Sequence, residues 1–187
     1  MLPPFYYKRP SQSGLVRYFS EVIQQIGDDR LKIFLYHFPQ LSGIHFDVNI
    51  VLELMEKFPN QIVGYKDSSG NWDNTIKILN HCPGLTVFPG SEEFLTPVLA
   101  AGGAGVISGI ANVNPGYIKE TYNAFFADEE LAVSCQEGIT HFRKAVQTYP
   151  LIGALKGLMK HHQGDDIWGN IRPPLSGLPP SDLNQLL

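Results

Sequence analysis

Cysteine is nearly absent from this chain of 187 residues: only Cys82 and Cys135 occur. Two thiols are too few for a disulfide framework, and neither sits at metal-ligand spacing, so no metal site is expected. Charge of one sign is also scarce. Lys and Arg number 14 against 18 Asp and Glu, a net charge of −4 with no basic run, which removes the electrostatic case for a nucleic-acid partner or an anionic membrane. No apolar stretch approaches the roughly 20 residues of a membrane span, and no basic-then-apolar segment opens the chain. A soluble, cytoplasmic protein is the expectation, and nothing suggests a nucleotide or redox cofactor. Apolar residues, by contrast, make up 43% of the chain, enough for a real core.

Strand and helix signals alternate along the first two thirds. Met1 to Tyr7 reads as the end of an apolar strand. Leu15, Phe19, Val22 and Ile26 follow at helical spacing, with Gly27 as the stop. Lys32 to Phe38 is a β-rich run halted by Pro39. Asp47 is placed to cap a helix burying Val51, Leu54, Met55 and Phe58. Ile62 to Lys66 is the next strand, Asp73 to Asn80 a helix with Ile76 and Leu79 inward, Leu85 to Phe88 a strand, Glu92 to Ala101 a helix, and Gly105 to Ile107 a further strand. Short connections in this βα order predict a parallel sheet. Beyond Asn114-Pro115 the pattern is helical: Tyr117 to Ala127, Glu129 to Tyr149 and Leu151 to His162, then a Pro-rich tail with a last short turn. Four strands and part of a fifth fall short of the eight of a closed (β/α)8 barrel, which typically takes about 250 residues. The pattern resembles the back half of such a barrel, with residues 1–127 as the barrel portion and 128–187 as a C-terminal helical region.

Lys66 is the most informative residue. It ends the β-branched run Ile62-Val63-Gly64-Tyr65-Lys66 and precedes the small polar turn Asp67-Ser68-Ser69-Gly70. A strand followed by such a turn delivers a side chain to the carboxyl rim of a parallel sheet, where the loops build the site. Desolvation among apolar neighbours disfavours an ammonium, and a neutral lysine amine attacks carbonyls to form Schiff bases. A snorkelling lysine with its stem packed and its head in water is the plainer alternative. Tyr36 ends the preceding strand in Leu35-Tyr36-His37-Phe38-Pro39-Gln40-Leu41-Ser42-Gly43. A hydroxyl there can move the protons that carbinolamine loss requires, although a lone strand tyrosine is more often packing.

Taken together, PPFYYKRP (Pro3–Pro10), LYHFPQLSG (Leu35–Gly43) and VGYKDSSG (Val63–Gly70) resemble segments of the dihydrodipicolinate synthase / N-acetylneuraminate lyase family of pyruvate-dependent class I aldolases. The resemblance runs over nearly the whole chain. It implies a partial (β/α)8 barrel, from the end of strand four through strand eight, followed by helices. It implies a metal-independent lyase or aldolase with pyruvate or another 2-oxo acid and an aldehyde as substrates, working as a homo-oligomer, dimer or tetramer. Lys66 matches the imine-forming lysine and Tyr36 the proton-shuttling tyrosine. Tyr7 matches the second aromatic of a pair that, in synthase members, reaches across a dimer interface. Gly90 matches the glycine ending strand seven, and Gly90, Glu92 and Glu93 lie where lyases hold a polyhydroxylated substrate; the two glutamates otherwise read as helix N-terminal charges. Ser108, Gly109 and Ile110 belong to the Val106–Asn112 segment, which matches the strand closing the pocket floor.

Two departures refine that picture. Synthase members place an arginine two residues after the proline of the tyrosine segment, and Leu41 stands there. Leucine cannot make a bidentate carboxylate contact, so a sugar-acid-type aldehyde is the better expectation. The Gly-rich and Ser/Thr segments that bind the pyruvate carboxylate in the family are not in this chain, so a catalytically incomplete, oligomeric or partner-bound module is the competing expectation. Two other features read as structural. His161-His162 beside Lys160 before Gly164 suit a helix C-terminus, and Gly102-Gly103-Ala104-Gly105 suits a cap with tight packing.

Overall fold

A computed structural model describes residues 2–7 and 9–187. Met1, part of the first expected strand, and Lys8, part of the PPFYYKRP segment, lie outside the described residues. The chain divides into two compact units, Met1–Ile107 and Ser108–Leu187.

The first unit is built on a parallel three-stranded sheet, β1 (Ile33–His37), β2 (Ile62–Asp67) and β3 (Thr86–Pro89), in the order β1-β2-β3. Tyr36 pairs with Lys66 and Lys66 with Phe88; His37 pairs with Asp67 and Asp67 with Pro89. The helices are α1 (Gln12–Ile26), the single turn α2 (Pro39–Ser42), α3 (Val48–Lys57), α4 (Trp72–His81) and α5 (Leu95–Ala100). Local chemistry sets their ends. Ser11 caps α1 by accepting from the Gly14 amide, and Gly27 closes it in the left-handed region at φ 61°. Asp47 caps α3 through the Ile50 amide, and Asn71 caps α4 through Asp73.

The core lies between one sheet face and these helices: Leu35, Tyr65 and Val87 from the strands meet Phe19, Ile23, Val51, Leu54 and Ile78. Met55, Phe58 and Leu79 pack against this core partly buried, as their spacing predicts. The α1 stripe is rotated from the expected one. Leu15, Val16, Phe19 and Ile23 are buried, whereas Ile26 is exposed. In α4 the inward positions are Thr75 and Ile78.

Two expected strands do not form. Leu2 to Tyr7 is a turn-rich segment with Phe5 N–H donating to Pro3 carbonyl at 2.7 Å; three prolines in ten residues remove the donors a ladder needs. Gly105–Ile107 runs beside β3, with Ala104 N–H on Val87 carbonyl and Ile107 N–H on Pro89 carbonyl, but no ladder develops. Gly105 sits at φ 136°, outside the strand region. Gly103 does what tight packing requires: a Cβ there would stand 2.4 Å from Val98.

The second unit is helical: α6 (Pro115–Ala127), α7 (Glu129–Val146), α8 (Leu151–Gln163) and α9 (Pro180–Leu186). Its core gathers Ile110, Val146 and Ala154 with Phe142, Leu155 and Leu178. Gly164 ends α8 in the left-handed region over Lys160, His161 and His162, the helix terminus that the spacing predicts. No helix among the described residues is long and apolar enough to cross a membrane.

Candidate active site

Strand periodicity separates the sheet into two chemical faces. On one lie Phe34, Tyr36, Gly64, Lys66 and Phe88, half-buried or exposed apart from the glycine. Gly64 is required by its neighbour, since a Cβ would stand 2.1 Å from the Phe34 ring. Over that gap Phe34 approaches Phe88 to 6.1 Å between centroids. The Lys66 amine stands 4.1 Å from the centroid of the Tyr36 ring, a cation–π distance. The Tyr36 hydroxyl accepts from Ser68 Oγ at 3.4 Å. This is long for a hydroxyl pair. An amine, a phenol and an aliphatic hydroxyl thus converge at the carboxyl ends of two adjacent parallel strands.

The other face carries the chain neighbours of the same residues, and its Asp67, Tyr65 and His37 side chains are each hydrogen-bonded. Asp67 is 3% exposed. Its Oδ2 accepts from Asn74 Nδ2 at 2.8 Å and from Thr75 Oγ1 at 2.9 Å. Its Oδ1 accepts from the Ser69 amide at 2.9 Å, which folds the loop after β2 back onto the strand. Tyr65, fully buried, donates to the Phe46 carbonyl and accepts from Asn74. Burial pushes its phenol well above the ordinary range, so it stays neutral. His37 accepts the Phe46 amide on Nδ1 at 3.2 Å, which places its proton on Nε2. Burial lowers the His37 pKa; the charge of Asp67 opposes this and His45 adds to it.

The end of β3 closes on the same loop. The Gly90 amide donates to the Asp67 carbonyl at 2.6 Å, and a Cβ on Gly90 would stand 2.2 Å from Ser68 Oγ. Glu92 and Glu93 open a 3-10 turn, Glu92–Phe94, capped by Ser91. Glu92 is fully buried, and Glu93 Oε2 accepts from Ser91 Oγ at 3.1 Å. Tyr7 is largely exposed in a bend, its ring edge-on to Tyr6 at 6.1 Å. Leu41 is also exposed, on the single turn α2. Ser108, Gly109 and Ile110 fall in the second unit. There Ser108 Oγ accepts the Ile110 amide at 3.1 Å, Gly109 faces Leu151 and Leu155, and Ile110 is fully buried. The structure therefore brings Tyr36 and Lys66 together, with Gly90, at the end of β3, packed against Ser68 of the loop after β2.

Sequence reasoning passed over His37, Asp67, Ser68, Asn74 and Thr75. A signal was available: polar residues in consecutive positions, Tyr36-His37 and Lys66-Asp67, occur at the ends of two neighbouring strands. Period-two alternation must send one of each pair to either face.

The described residues thus form an α/β unit whose parallel sheet carries a lysine and a tyrosine in register at its carboxyl rim. The chain belongs to the dihydrodipicolinate synthetase family, whose model matches residues 1–186. Among solved structures it resembles dihydrodipicolinate synthase from Agrobacterium tumefaciens, with 32% identity and a TM-score of 0.85, over 98% of this chain and 61% of that one. Among curated proteins it is 30% identical to 4-hydroxy-tetrahydrodipicolinate synthase 1 of Halalkalibacterium halodurans, over 100% of this chain and 61% of that one. It is also 30% identical to an uncharacterized DapA-like lyase of Chloroflexus aurantiacus, over 85% of this chain and 52% of that one. The chain thus spans roughly half to three fifths of the length of these relatives.

Proposed function

We propose that this chain carries the imine-forming half of a Schiff-base lyase or aldolase acting on pyruvate or a related 2-oxo acid. The observation that carries the reading is the register pair Tyr36–Lys66, with the amine 4.1 Å from the tyrosine ring at the carboxyl rim. The Lys66 nitrogen attacks the 2-oxo carbon, forming the C–N bond. The carbonyl oxygen then takes up protons and leaves as water, giving the iminium. Tyr36, whose hydroxyl already holds a partner at 3.4 Å, is the group that moves those protons. Tyr7 is a supporting hydroxyl, with Gly90, Glu92 and Glu93 as substrate-side residues. In this reading residues 1–127 belong to the barrel portion and 128–187 to the appended helices, and the carboxylate-binding segment belongs to the family length that this chain does not span.

The aldehyde is of the sugar-acid type. An exposed Leu41 supports this, since an apolar side chain at that place offers no charge-assisted partner to a second carboxylate. Incubation with pyruvate and borohydride should yield a reduced adduct by intact mass, lost in Lys66→Arg. A folded protein that gives no adduct contradicts the assignment.

A second reading, a partner-bound or self-associating module, is favoured by the open side of β1. Among the described residues β1 pairs only with β2, and an apolar cavity of about 630 Å³ lined by Phe5, Val22, Phe34, Tyr36 and Leu41 runs along it. An unpaired strand beside apolar surface recruits another chain. Sedimentation should show self-association, and a stable monomer would count against this second reading.

A further inference from the structure

We infer that Asp67 is a positioning residue for Tyr36, acting through the loop that sets the Ser68 hydroxyl against the phenol; the inference deepens the imine-forming reading and rests on it. The chain of contacts is continuous. Asp67, buried on the helix-covered face, is held by Asn74 and Thr75 of α4 and in turn holds the Ser69 amide. Its own carbonyl accepts from Gly90 N–H, tying the end of β3 to the same point. Ser68, between these anchors, has its amide on the His37 carbonyl at 2.8 Å and its Oγ 3.4 Å from Tyr36 Oη. A side chain at position 90 would overlap Ser68 Oγ, so the loop occupies that place only because residue 90 is glycine. Gln40 Nε2 adds a clamp from α2 on the Ser69 carbonyl at 2.6 Å. Ser68, Ser69 and Asn71 of this loop are each anchored by a hydrogen bond, and the Ser68 hydroxyl meets Tyr36.

The carboxylate thus does its work from the reverse side of the sheet. It touches neither Lys66's amine nor the phenol, and determines where the hydroxyl between the strands stands. A phenol with an oriented partner transfers a proton along a prepared path; a phenol without one must first find water.

The test is a double-mutant comparison read by the rate of borohydride trapping at saturating pyruvate. Ser68→Ala should lower that rate about tenfold, a modest share of the effect of a positioned acid or base, while the pyruvate concentration giving half the maximal rate stays within about twofold, as expected when uniform binding is untouched. Asp67→Asn should do the same. In a Tyr36→Phe background both substitutions should change the rate less than about twofold, because residues acting as one unit are not additive. An equal loss in both backgrounds, or no loss in either, overturns the inference. Should Asp67→Asn fail to fold by circular dichroism, Thr75→Val, which removes one hydrogen-bond donor to Asp67 Oδ2, takes its place and should show the same loss only when Tyr36 is present; an equal loss in both backgrounds, or none, overturns the inference. Should the unsubstituted chain give no adduct, the imine-forming reading itself fails. The coupling is then read from the Cζ carbon resonance of Tyr36 in tyrosine-labelled protein. It should move in Ser68→Ala and stay in place in the remote Asn80→Ala; no movement in Ser68→Ala overturns the coupling.

Discussion

The two faces of the β1-β2-β3 sheet are made from alternating residues of the same strands and have opposite characters. On the helix-covered face His37, Tyr65 and Asp67 are buried, and each meets a named hydrogen-bond partner. On the open face Phe34, Tyr36 and Lys66 are only partly covered, and the amine rests on the Tyr36 ring. One face is organised to stay as it is. The other keeps an amine and a phenol within reach of solvent, as the proposed imine chemistry requires. The lesson is that alternation in a strand can divide labour between structure and chemistry across a single backbone.

The largest way to break this contrast is to truncate each face in turn. Leu54 is 0% exposed beneath the covered face, so Leu54→Ala should cost about 2–5 kcal/mol. Phe34 is 47% exposed on the open face, so Phe34→Ala should stay within about 1 kcal/mol. Urea unfolding of both variants checks the difference, and equal losses would deny that the faces differ. Next comes Gly64→Ala. The new methyl must displace the Phe34 ring, at about 1 kcal/mol, the low end of overpacking because the ring can swing toward solvent. A loss above that of Leu54→Ala would mean the open face is as rigid as the core.

How much of this was legible beforehand depended on whether a feature was local. Lys66 and Tyr36 could be placed on one rim because strand order, parallel pairing and period two all follow from short-range patterns. The caps at Asp47 and Gly27 were readable for the same reason. The buried stripe of α1 was half legible. Leu15 and Phe19 face the core as expected, but Val16 and Ile23 join them in place of Val22 and Ile26; both sets are apolar, so only the neighbour decides which is covered. Glycines misled at Gly105–Ile107, where a short apolar run suggested a strand but the φ of Gly105 prevents a ladder. Asp67 escaped notice because a lone acid beside a site lysine reads as another surface charge; its partners Asn74 and Thr75 are a loop away and only the fold brings them underneath.

The smallest expected effect is a pH slope. His37 has its pKa lowered from 6.5 in the folded chain, by burial first. The unfolded chain therefore takes up a proton before the folded one as pH falls. Stability from this site is complete above about pH 6.5 and declines as pH drops toward the folded value. Protonation of Nδ1 would also set two donors face to face at the Phe46 amide. Asp67 moderates the slope from β2 and His45 steepens it. Urea midpoints measured from pH 7.5 downward should fall, and His37→Gln should flatten the part of the fall that this site supplies. An unchanged slope in the variant would place the sensitivity elsewhere.

The most direct test of the open face as the chemical face is the location of the adduct. After brief incubation with pyruvate and borohydride, peptide mapping should find the modification on Lys66 ahead of exposed lysines such as Lys57 and Lys77. Modification spread evenly over surface lysines, or none on Lys66 in folded protein, would contradict the account.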